Sequence, residues 1–413
     1  MADGSRVLVA GAGPVGLITA LCLARRDVPV TVLEAEPQLP LDPRAAVFHP
    51  PTLEMLDELA LTRALHDVGL VVPLWQFHDR ESGVVAQFDL GVLKDDTRYP
   101  YRLHCEQHNL ARAAYEHLRA LPHAEVRFDC RVTDVKQDVD HVTAVVETPD
   151  GPTLETGAYV IGADGGRSTV RKALGIPFEG FTWPEAFLVV STTHDLGRHG
   201  FSYAAYVSDP LVWCAVFKVP TAGASCAWRV ASPIDPDLPD RIVHADGFVQ
   251  ARLTHLLPGN DSYEILHRGT YRVHQRVAAV LRRGRALLAG DAAHVNNPLG
   301  GMGLNSGIHD GMMLASALAG VWHGETNERA LDRYAHERRA INVEYVQAIT
   351  IQNKRAIEER DPEVRRRRHD EMRRMAEDPV LARAYLLRTS MLASVPRAPN
   401  GRRRNVLTRG DAM

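Results

Sequence analysis

Three glycines near the beginning of the chain have the spacing of a turn that binds a nucleotide. The segment is GAGPVG, and the residues predicted to contact a cofactor are Gly11, Gly13, Pro14, Val15 and Gly16. In such a turn the first glycine allows a tight bend, the second lets a pyrophosphate approach the backbone, and the third lets a helix pack against a strand. Glu34, about 20 residues further on, can accept hydrogen bonds from a ribose diol. The pattern predicts an adenine dinucleotide, NAD or FAD; a purely structural glycine turn is the alternative.

Two later segments can serve the other half of a larger cofactor. Asp164 follows the apolar run AYVIGA, and Asp291 follows RALLAG. An aspartate after a buried parallel strand lies where ligands bind in such sheets, and Asp291 is placed to hold a polyol hydroxyl. A glycine-rich loop comes next and can bring backbone N–H groups to a ring; its predicted contact residues are Pro298, Gly301, Gly303, Leu304 and Asn305. A ribityl chain and an isoalloxazine ring need this second half-site and NAD does not, so the three segments together predict FAD.

The elements that position these residues indicate an α/β fold. Residues 6–10 and 29–34 are predicted strands and residues 14–26 a helix, which is a βαβ unit with a parallel sheet. From about residue 176 the sequence becomes β-rich with alternating aromatic residues, and the remainder from about 305 is mostly helical. We therefore expect a Rossmann-like FAD-binding domain with an inserted β-rich substrate domain and a helical C-terminal part.

The predicted domains are discontinuous. The FAD-binding domain comprises 1–71, 100–175 and 275–340, and the substrate domain comprises 72–99 and 176–274. Residues 341–413 are expected to form a helical segment with a frayed tail.

Composition excludes several other classes of protein. The 413 residues carry a formal charge of −3, so no basic field favours a nucleic acid or a membrane as partner. The arginine run near residue 366 is interleaved with acidic residues, which favours a solvated helix face. Five scattered cysteines form no CxxC pair, which indicates reduced thiols and no metal site. The first residues lack a secretory leader and no apolar run reaches about 20 residues, so we expect a cytoplasmic enzyme.

The three segments, in this order and at these separations, resemble those of the group A FAD-dependent aromatic monooxygenases, which have the p-hydroxybenzoate hydroxylase fold. The resemblance covers roughly residues 5–350 and is to the short form without a thioredoxin-like C-terminal domain. It implies that Arg44, Gln107 and Val132 also contact FAD. Three of the predicted cofactor contacts have an alternative: Arg44 could be an exposed loop charge, Gln107 could cap a helix, and Asp164 could be a hinge between strand and loop.

The resemblance also implies the reaction. NAD(P)H reduces FAD, O₂ adds to give a flavin C4a-hydroperoxide, and oxygen is delivered to an electron-rich aromatic ring. The resemblance implies that Tyr206 and Pro298 are catalytic residues. Candidate substrate contacts in the β-rich domain are His194, Tyr203, Tyr206, Trp213, Phe217 and Trp228; the alternative is that strand aromatics form core. No arginine follows in the position that holds a benzoate carboxylate in the family, so a neutral phenol, nitrophenol, pyridine or polyketide-type ring is as good a candidate.

Other functions stay open at this stage. An FAD-dependent oxidase, dehydrogenase or reductase of the same fold is one alternative, and a non-catalytic flavin-binding protein is another. The sequence does not decide between NADH and NADPH, or between a monomer and a homodimer.

Overall fold

The structure, a computed structural model, describes residues 6–41, 45–221, 226–257 and 262–395. Its strands are β1 (Val7–Ala10), β2 (Val30–Leu33), β3 (Val47–Phe48), β4 (Leu70–Val72), β5 (Leu74–Asp79), β6 (Gly83–Asp89), β7 (Arg102–His104), β8 (Ala124–Arg127), β9 (Arg131–Gln137), β10 (Val142–Thr148), β11 (Gly151–Gly157), β12 (Tyr159–Gly162), β13 (Phe178–Thr192), β14 (Ala204–Ser208), β15 (Cys214–Pro220), β16 (Cys226–Ile234), β17 (Ile265–Ala278), β18 (Arg282–Arg283), β19 (Ala286–Leu288) and β20 (His294–Val295).

Twelve α-helices lie in this described part of the chain: α1 (Pro14–Ala24), α2 (Pro50–Glu58), α3 (Thr62–Val68), α4 (Gln107–Leu118), α5 (Thr169–Ala173), α6 (Asp240–Val243), α7 (Asp246–Leu256), α8 (Met302–Trp322), α9 (Arg329–Ile341), α10 (Ala348–Ile357), α11 (Pro362–Glu377) and α12 (Pro379–Thr389). A π-helical segment, Asn342–Gln347, joins α9 to α10. Short 3₁₀ turns occur at Leu90–Leu93, Leu196–His199, Gly290–Ala292 and Leu392–Ser394.

A six-stranded sheet carries the predicted cofactor segments. Its order is β18-β19-β12-β1-β2-β8, and all neighbouring pairs are parallel except β18 with β19. Ala10 pairs with Gly162, and Gly162 pairs with Leu288. The three cofactor segments therefore leave three adjacent strands at the same carboxyl edge, where ligands bind in open α/β sheets. The α/β class and the Rossmann-like sheet are confirmed.

Apolar residues bury this sheet on both faces. The strands β1 and β2 read VLVA and VTVL and are buried along their whole length, as expected for central parallel strands covered on both sides. The helices α1 and α8 pack together on one face, and α1 contributes Leu17, Ile18 and Leu21 to the core there. The three-stranded sheet β11-β10-β9 covers the other face.

An eight-stranded sheet forms the β-rich part. Its order is β20-β17-β13-β16-β15-β14-β5-β6. Strands from both predicted substrate-domain segments, 72–99 and 176–274, join this one sheet. One face packs against α7 through an apolar cluster that includes Leu188, Val216 and Leu253. The opposite face looks toward the glycine-rich loop and the C-terminal helices. The exact domain boundaries stay a prediction.

The C-terminal helices dock on this β-rich part. Arg383 on α12 makes two hydrogen bonds to the carboxylate of Asp96, and Arg365 on α11 pairs with Asp79 at the end of β5. Leu386 on α12 and Met372 on α11 share an apolar cluster with Phe88. The predicted frayed tail at 396–413 lies outside the described residues. No helix in the described ranges is long and apolar enough to cross a membrane.

Candidate active site

The first glycine turn has three different steric environments. A Cβ built on Gly16 would lie 2.0 Å from the backbone oxygen of Gly11, so α1 packs against the turn at a distance that excludes a side chain. Gly13, the residue that precedes α1, has the opposite environment. A Cβ on Gly13 would meet no described protein atom within 4 Å. The open approach at Gly13, beside the positive end of α1, is the geometry that a pyrophosphate requires.

Glu34 lies at the end of β2, next to this turn. One carboxylate oxygen accepts a hydrogen bond of 2.6 Å from the backbone N–H of Ala12, and the other accepts one of 3.0 Å from Glu36. The backbone oxygen of Glu34 accepts a bond from Cys130, two residues before Val132 on β9. The carboxylate is thus fixed beside the bend, and Val132 lies on the adjoining segment.

Asp164 combines a structural bond with an unsatisfied atom. Its Oδ2 accepts hydrogen bonds from the backbone N–H groups of Thr169 and Val170, at 2.7 and 3.1 Å, and so caps α5. Its Oδ1 is buried and has no partner among the described residues. A buried acceptor without a donor is costly. Asp164 therefore holds the start of α5 through one oxygen, and its other oxygen is available to a cofactor hydroxyl.

The third segment packs directly on the first. A Cβ on Gly290 would lie 3.0 Å from Cγ2 of Val15, so the strand end before Asp291 reaches the first turn of α1. Asp291 itself is exposed at the carboxyl edge, in the 3₁₀ turn Gly290–Ala292. Gly11 approaches the second segment in the same way, because its Cβ would lie 2.6 Å from the Ala163 oxygen. The three segments therefore share one edge of the sheet.

A buried ionic network contacts the 3₁₀ turn Gly290–Ala292. Asp310 on α8 lies 2.6 Å from Nε2 of His294 and 2.6 Å from Nε of Arg338, and it also accepts a bond from the N–H of Gly290. Burial opposes ionisation of Asp310, but the charges of His294 and Arg338 outweigh it and hold its pKa below the ordinary value of 3.8. His294 is thus buried against the strand end, where it contacts Asp310.

The glycine-rich loop ends at the N-terminus of the 21-residue helix α8. Gly301 precedes the helix with φ of +64°, a left-handed conformation that favours glycine, and no described side chain caps the helix there. Asn305 anchors the loop instead. Its Oδ1 accepts from the N–H of His49, and its Nδ2 donates to the oxygens of Val47 and Gly301. The first N–H groups of α8, at Gly303 and Leu304, stay free of side-chain caps and carry the positive end of the helix.

The residues at this edge of the sheet fit FAD. The open approach at Gly13 suits the pyrophosphate, and the unsatisfied Oδ1 of Asp164 suits a hydroxyl. The uncapped start of α8 suits the electron-rich pyrimidine edge of the flavin. Gln107 is the first residue of α4, and its N–H donates to the oxygen of Ala45. Arg44 lies outside the described residues, and Pro298 is exposed on the glycine-rich loop.

The six predicted substrate residues divide between the two faces of the eight-stranded sheet. Side chains alternate along a strand, so Ala215 and Phe217 on β15 face the glycine-rich loop while Cys214 and Val216 face α7. Tyr206 and Trp213 share the face of Phe217. Trp213 packs in one apolar cluster with Leu299 of the loop.

The other three predicted residues, His194, Tyr203 and Trp228, lie on the α7 side of the sheet. The indole of Trp228 donates to Asp195, and Lys218 lies over the rings of both Trp228 and Tyr203. His194 contacts the ring of Tyr263. All three side chains lie on the face opposite the loop, so none of them lines the same cavity as Tyr206.

Tyr206 lies at the junction of the loop and a cavity. Burial raises the pKa of the Tyr206 phenol to about 12, against the lowering effects of the Arg102 charge and of the Gly300 backbone. The cavity has a volume of about 190 Å³. Its apolar walls include Trp75, Phe77, Tyr206, Met372, Met375 and Tyr385.

The cavity is open to solvent, and one of its wall residues contacts the glycine-rich loop. Asn353 lines the cavity and donates a hydrogen bond to the oxygen of Leu299. Gln352, Glu371 and Arg388 line it as well and are exposed. The cavity therefore lies between β5, β14 and the C-terminal helices and opens at the protein surface, with Asn353 linking its wall to the loop.

Sequence reasoning missed the contribution of the C-terminal helices and of β7. Met372 and Tyr385 come from α11 and α12, and no motif in the sequence marks which side of those helices faces the sheet. Arg102 in YRLHC gave no such signal, because an arginine that alternates with apolar residues in a strand is ordinarily expected on the solvent face. His49 was also missed, although its Nε2 donates to the oxygen of Gly300 at 2.7 Å.

Comparison with known proteins agrees with this geometry. The model of the family described as FAD binding domain matches residues 5–349. The chain belongs to this family. It is 37% identical to a para-nitrophenol 4-monooxygenase of Pseudomonas sp. (strain WBC-3) over 96% of each chain. It is 36% identical to a 6-hydroxy-3-succinoylpyridine 3-monooxygenase of Pseudomonas putida (strain DSM 28022 / S16), over 88% of this chain and 91% of that one.

A solved structure shows the same relationship. The p-nitrophenol 4-monooxygenase of Pseudomonas putida DLL-E4 superposes with a TM-score of 0.88 at 37% identity, covering 93% of this chain and 96% of that one. The protein is accordingly an FAD-dependent monooxygenase of aromatic compounds, and its fold is that of the flavoprotein aromatic hydroxylases. FAD is its cofactor, and NAD(P)H is the co-substrate typical of these enzymes.

Proposed function

We propose that the enzyme hydroxylates a phenol with a single aromatic ring and a substituent in the para position, 4-nitrophenol being the compound to test first. The observation that carries this proposal is the aromatic cavity of about 190 Å³ that begins at Tyr206, next to the glycine-rich loop.

The cavity volume favours a small substrate. An apolar cavity of about 150 Å³ in a protein interior is large enough to bind benzene. A cavity of about 190 Å³ therefore has room for one ring with a small substituent and is too small for several fused rings. The two relatives reported above are named for a nitrophenol and a hydroxypyridine, which are both single-ring compounds with a hydroxyl group.

The walls suit an aromatic ring in its orientation as well as its size. Trp75 and Tyr206 meet edge to face with centroids 5.5 Å apart, and Trp75 also contacts Phe88 and Tyr385. Such rings provide a rigid apolar slot in which a planar substrate can stack. The hydroxyl of Tyr206 places one polar group at the end of the slot that meets the loop.

FAD and the residues of the chain have different roles in this reaction. When FAD is bound, it supplies the reducing equivalents that activate O₂ for transfer to the ring. The chain holds the cofactor through the Gly13 turn, Asp164 and the N-terminus of α8. Tyr206 and Trp75 orient the ring against the loop, and the apolar walls around them limit the access of water to the reacting carbon.

Oxidation of NAD(P)H tests the proposal. The FAD-loaded protein is mixed with NADH or NADPH, and the rate of oxidation is compared with no phenol, with 4-nitrophenol and with a tetracyclic phenol. We expect 4-nitrophenol to accelerate oxidation and to yield an oxygenated product, and the tetracyclic compound to do neither. Acceleration by the tetracyclic compound alone would contradict the proposal. Oxidation without an oxygenated product from any phenol would indicate an oxidase.

A further inference from the structure

Arg102 is a buried cation without a protein anion. It lies on β7 with 7% of its surface exposed, and its Nε is buried without an acceptor. None of the hydrogen bonds or ion pairs found between described residues involves its guanidinium. An unpaired charge in the interior costs several kcal/mol unless a partner compensates it. A sequence that keeps arginine here therefore points to a partner that binds from outside the chain.

The direction of the side chain follows from the alternation along β7. Leu103 packs in the core of the cofactor domain, so Arg102 and His104 lie on the other face of the strand. His104 shows where that face looks: its Nδ1 lies 2.7 Å from the oxygen of Lys218 on β15, and its ring meets Phe217 edge to face. Arg102 thus faces the inner side of the eight-stranded sheet, where Tyr206 also lies.

The groups around Arg102 do not neutralise it. Burial, followed by the charge of Arg102, holds the pKa of His49 well below 6.5, and burial lowers the pKa of His104 to about 4. Both imidazoles are therefore neutral at pH 7. Arg229 on β16 is already paired with Glu106.

The remaining neighbours are tyrosines of the cavity wall. The charge of Arg102 acts on the hydroxyls of Tyr206 and Tyr385, and burial raises the pKa of Tyr206 to about 12 and that of Tyr385 further still. Both tyrosines are protonated at neutral pH and can only donate to an anion or share its charge. The region therefore has one positive charge in excess, next to the slot proposed for the ring.

We propose that Arg102 binds the ionised hydroxyl of the phenol substrate, so that the enzyme takes up the phenolate. This inference rests on the proposed function, because it names the form in which the single-ring phenol binds. The phosphates of FAD are not the partner, since the Gly13 turn and the α1 N-terminus already provide their site. On binding, the O–H bond of the phenol breaks and its proton passes to solvent water; no other covalent bond changes. The ionised ring is richer in electrons, which favours attack by electrophilic oxygen.

The absorbance of 4-nitrophenol reports this directly, because the phenolate and the neutral phenol have different spectra. The FAD-loaded wild type is titrated with 4-nitrophenol across a range of pH, alongside Arg102→Met, Arg102→Lys and the surface control Arg119→Met. We expect the wild type and the control to bind the anion, with a bound-ligand pKa below that of the free compound. Arg102→Met should bind the anion at least about 10-fold more weakly, since it loses a charge-assisted hydrogen bond, and Arg102→Lys should fall between.

Protein stability and cofactor content complete the test. Removing an uncompensated buried charge should leave the melting temperature of Arg102→Met unchanged or raised, and its FAD content should match that of the wild type. A neutral bound phenol in the wild type, or equal anion affinity in Arg102→Met, would overturn the role of Arg102 while product formation left the proposed function intact. Loss of FAD from Arg102→Met would assign the residue to the cofactor instead. If the wild type neither bound nor oxygenated any single-ring phenol, the proposed function would fail and this inference with it.

Discussion

Asn305 accepts a hydrogen bond of 2.8 Å from the backbone N–H of His49, a residue 256 positions earlier in the chain. The same amide donates to the oxygens of Val47 and Gly301. One buried side chain therefore fixes the start of α8 to the start of α2. This link helps to hold the glycine-rich loop over the sheet edge.

Replacing this amide should damage both stability and the flavin site. Asn305→Ala leaves a buried N–H and two buried oxygens without their partner, so we expect a loss of roughly 3 kcal/mol in the free energy of unfolding. The FAD content of the purified variant should fall as well. Denaturant unfolding and the visible absorbance of the flavin check this, and a variant as stable as the wild type with full FAD would refute the anchoring role.

Two glycines of the first turn should respond to alanine in opposite ways. Gly13→Ala adds a methyl group where no described protein atom lies within 4 Å, so the fold should lose no more than about 1 kcal/mol, while FAD affinity drops at least tenfold. Gly16→Ala places its methyl group 2.0 Å from a backbone oxygen and should lose more than about 4 kcal/mol or fail to fold. Thermal unfolding of the FAD-free proteins and FAD titration separate the two effects. Equal FAD affinity in Gly13→Ala and the wild type would remove the pyrophosphate from this turn.

The network around Asp310 should make stability depend on pH. The folded-state pKa of Asp310 is lowered, so its contribution is fully present above the ordinary value of 3.8 and is lost as the pH falls through the folded value. Asp310→Asn leaves Arg338 and His294 without their counter-ion and should cost about 3 kcal/mol or more at pH 7.

A surface aspartate provides the matched control for this network. Asp332→Asn removes an exposed ion pair with Arg282 and should cost less than about 1 kcal/mol. Melting temperatures of the three proteins should differ most near neutral pH, and the gap between Asp310→Asn and the wild type should narrow in acid. A gap that widened as the pH fell would contradict the assignment of a lowered pKa.

Filling the cavity should abolish substrate binding and spare the cofactor. Ala356 on α10 lines the cavity, and Ala356→Trp would occupy much of its volume of about 190 Å³. We expect KM for 4-nitrophenol to rise at least tenfold with unchanged FAD content. The new indole at this half-exposed position should lower the free energy of unfolding only a little. Circular dichroism can verify that the variant is folded. Unaltered KM would place the substrate elsewhere.

The cofactor half of the molecule could be predicted from the sequence for a physical reason. A glycine turn, an aspartate after a strand and a glycine-rich loop each belong to a local strand–turn–helix unit, and parallel strands bring their carboxyl ends together. Ala10, Gly162 and Leu288 are aligned in register across three adjacent strands. Gly11, Asp164 and Asp291, which follow these strand ends, therefore lie at the same edge of the sheet.

The substrate half could not be predicted equally well, because the sequence of a strand does not show which of its two faces contacts a ligand. Tyr203 and Tyr206 are three residues apart and therefore point to opposite sides of the sheet, a distinction that the composition of the segment hides. Tyr385, 80 residues beyond Asn305, reaches the cavity from α12 through packing that no local motif encodes. The position of Arg102 depends equally on long-range packing between β7 and β15.

The fate of the oxygen atom tests the central claim most directly. The FAD-loaded enzyme is supplied with NADH or NADPH, 4-nitrophenol and ¹⁸O₂, and the product is analysed by mass spectrometry. We predict one ¹⁸O atom in each molecule of aromatic product, formed in proportion to the NAD(P)H consumed. Aromatic product with oxygen only from water, or NAD(P)H consumption that ends in hydrogen peroxide for every single-ring phenol offered, would contradict the account.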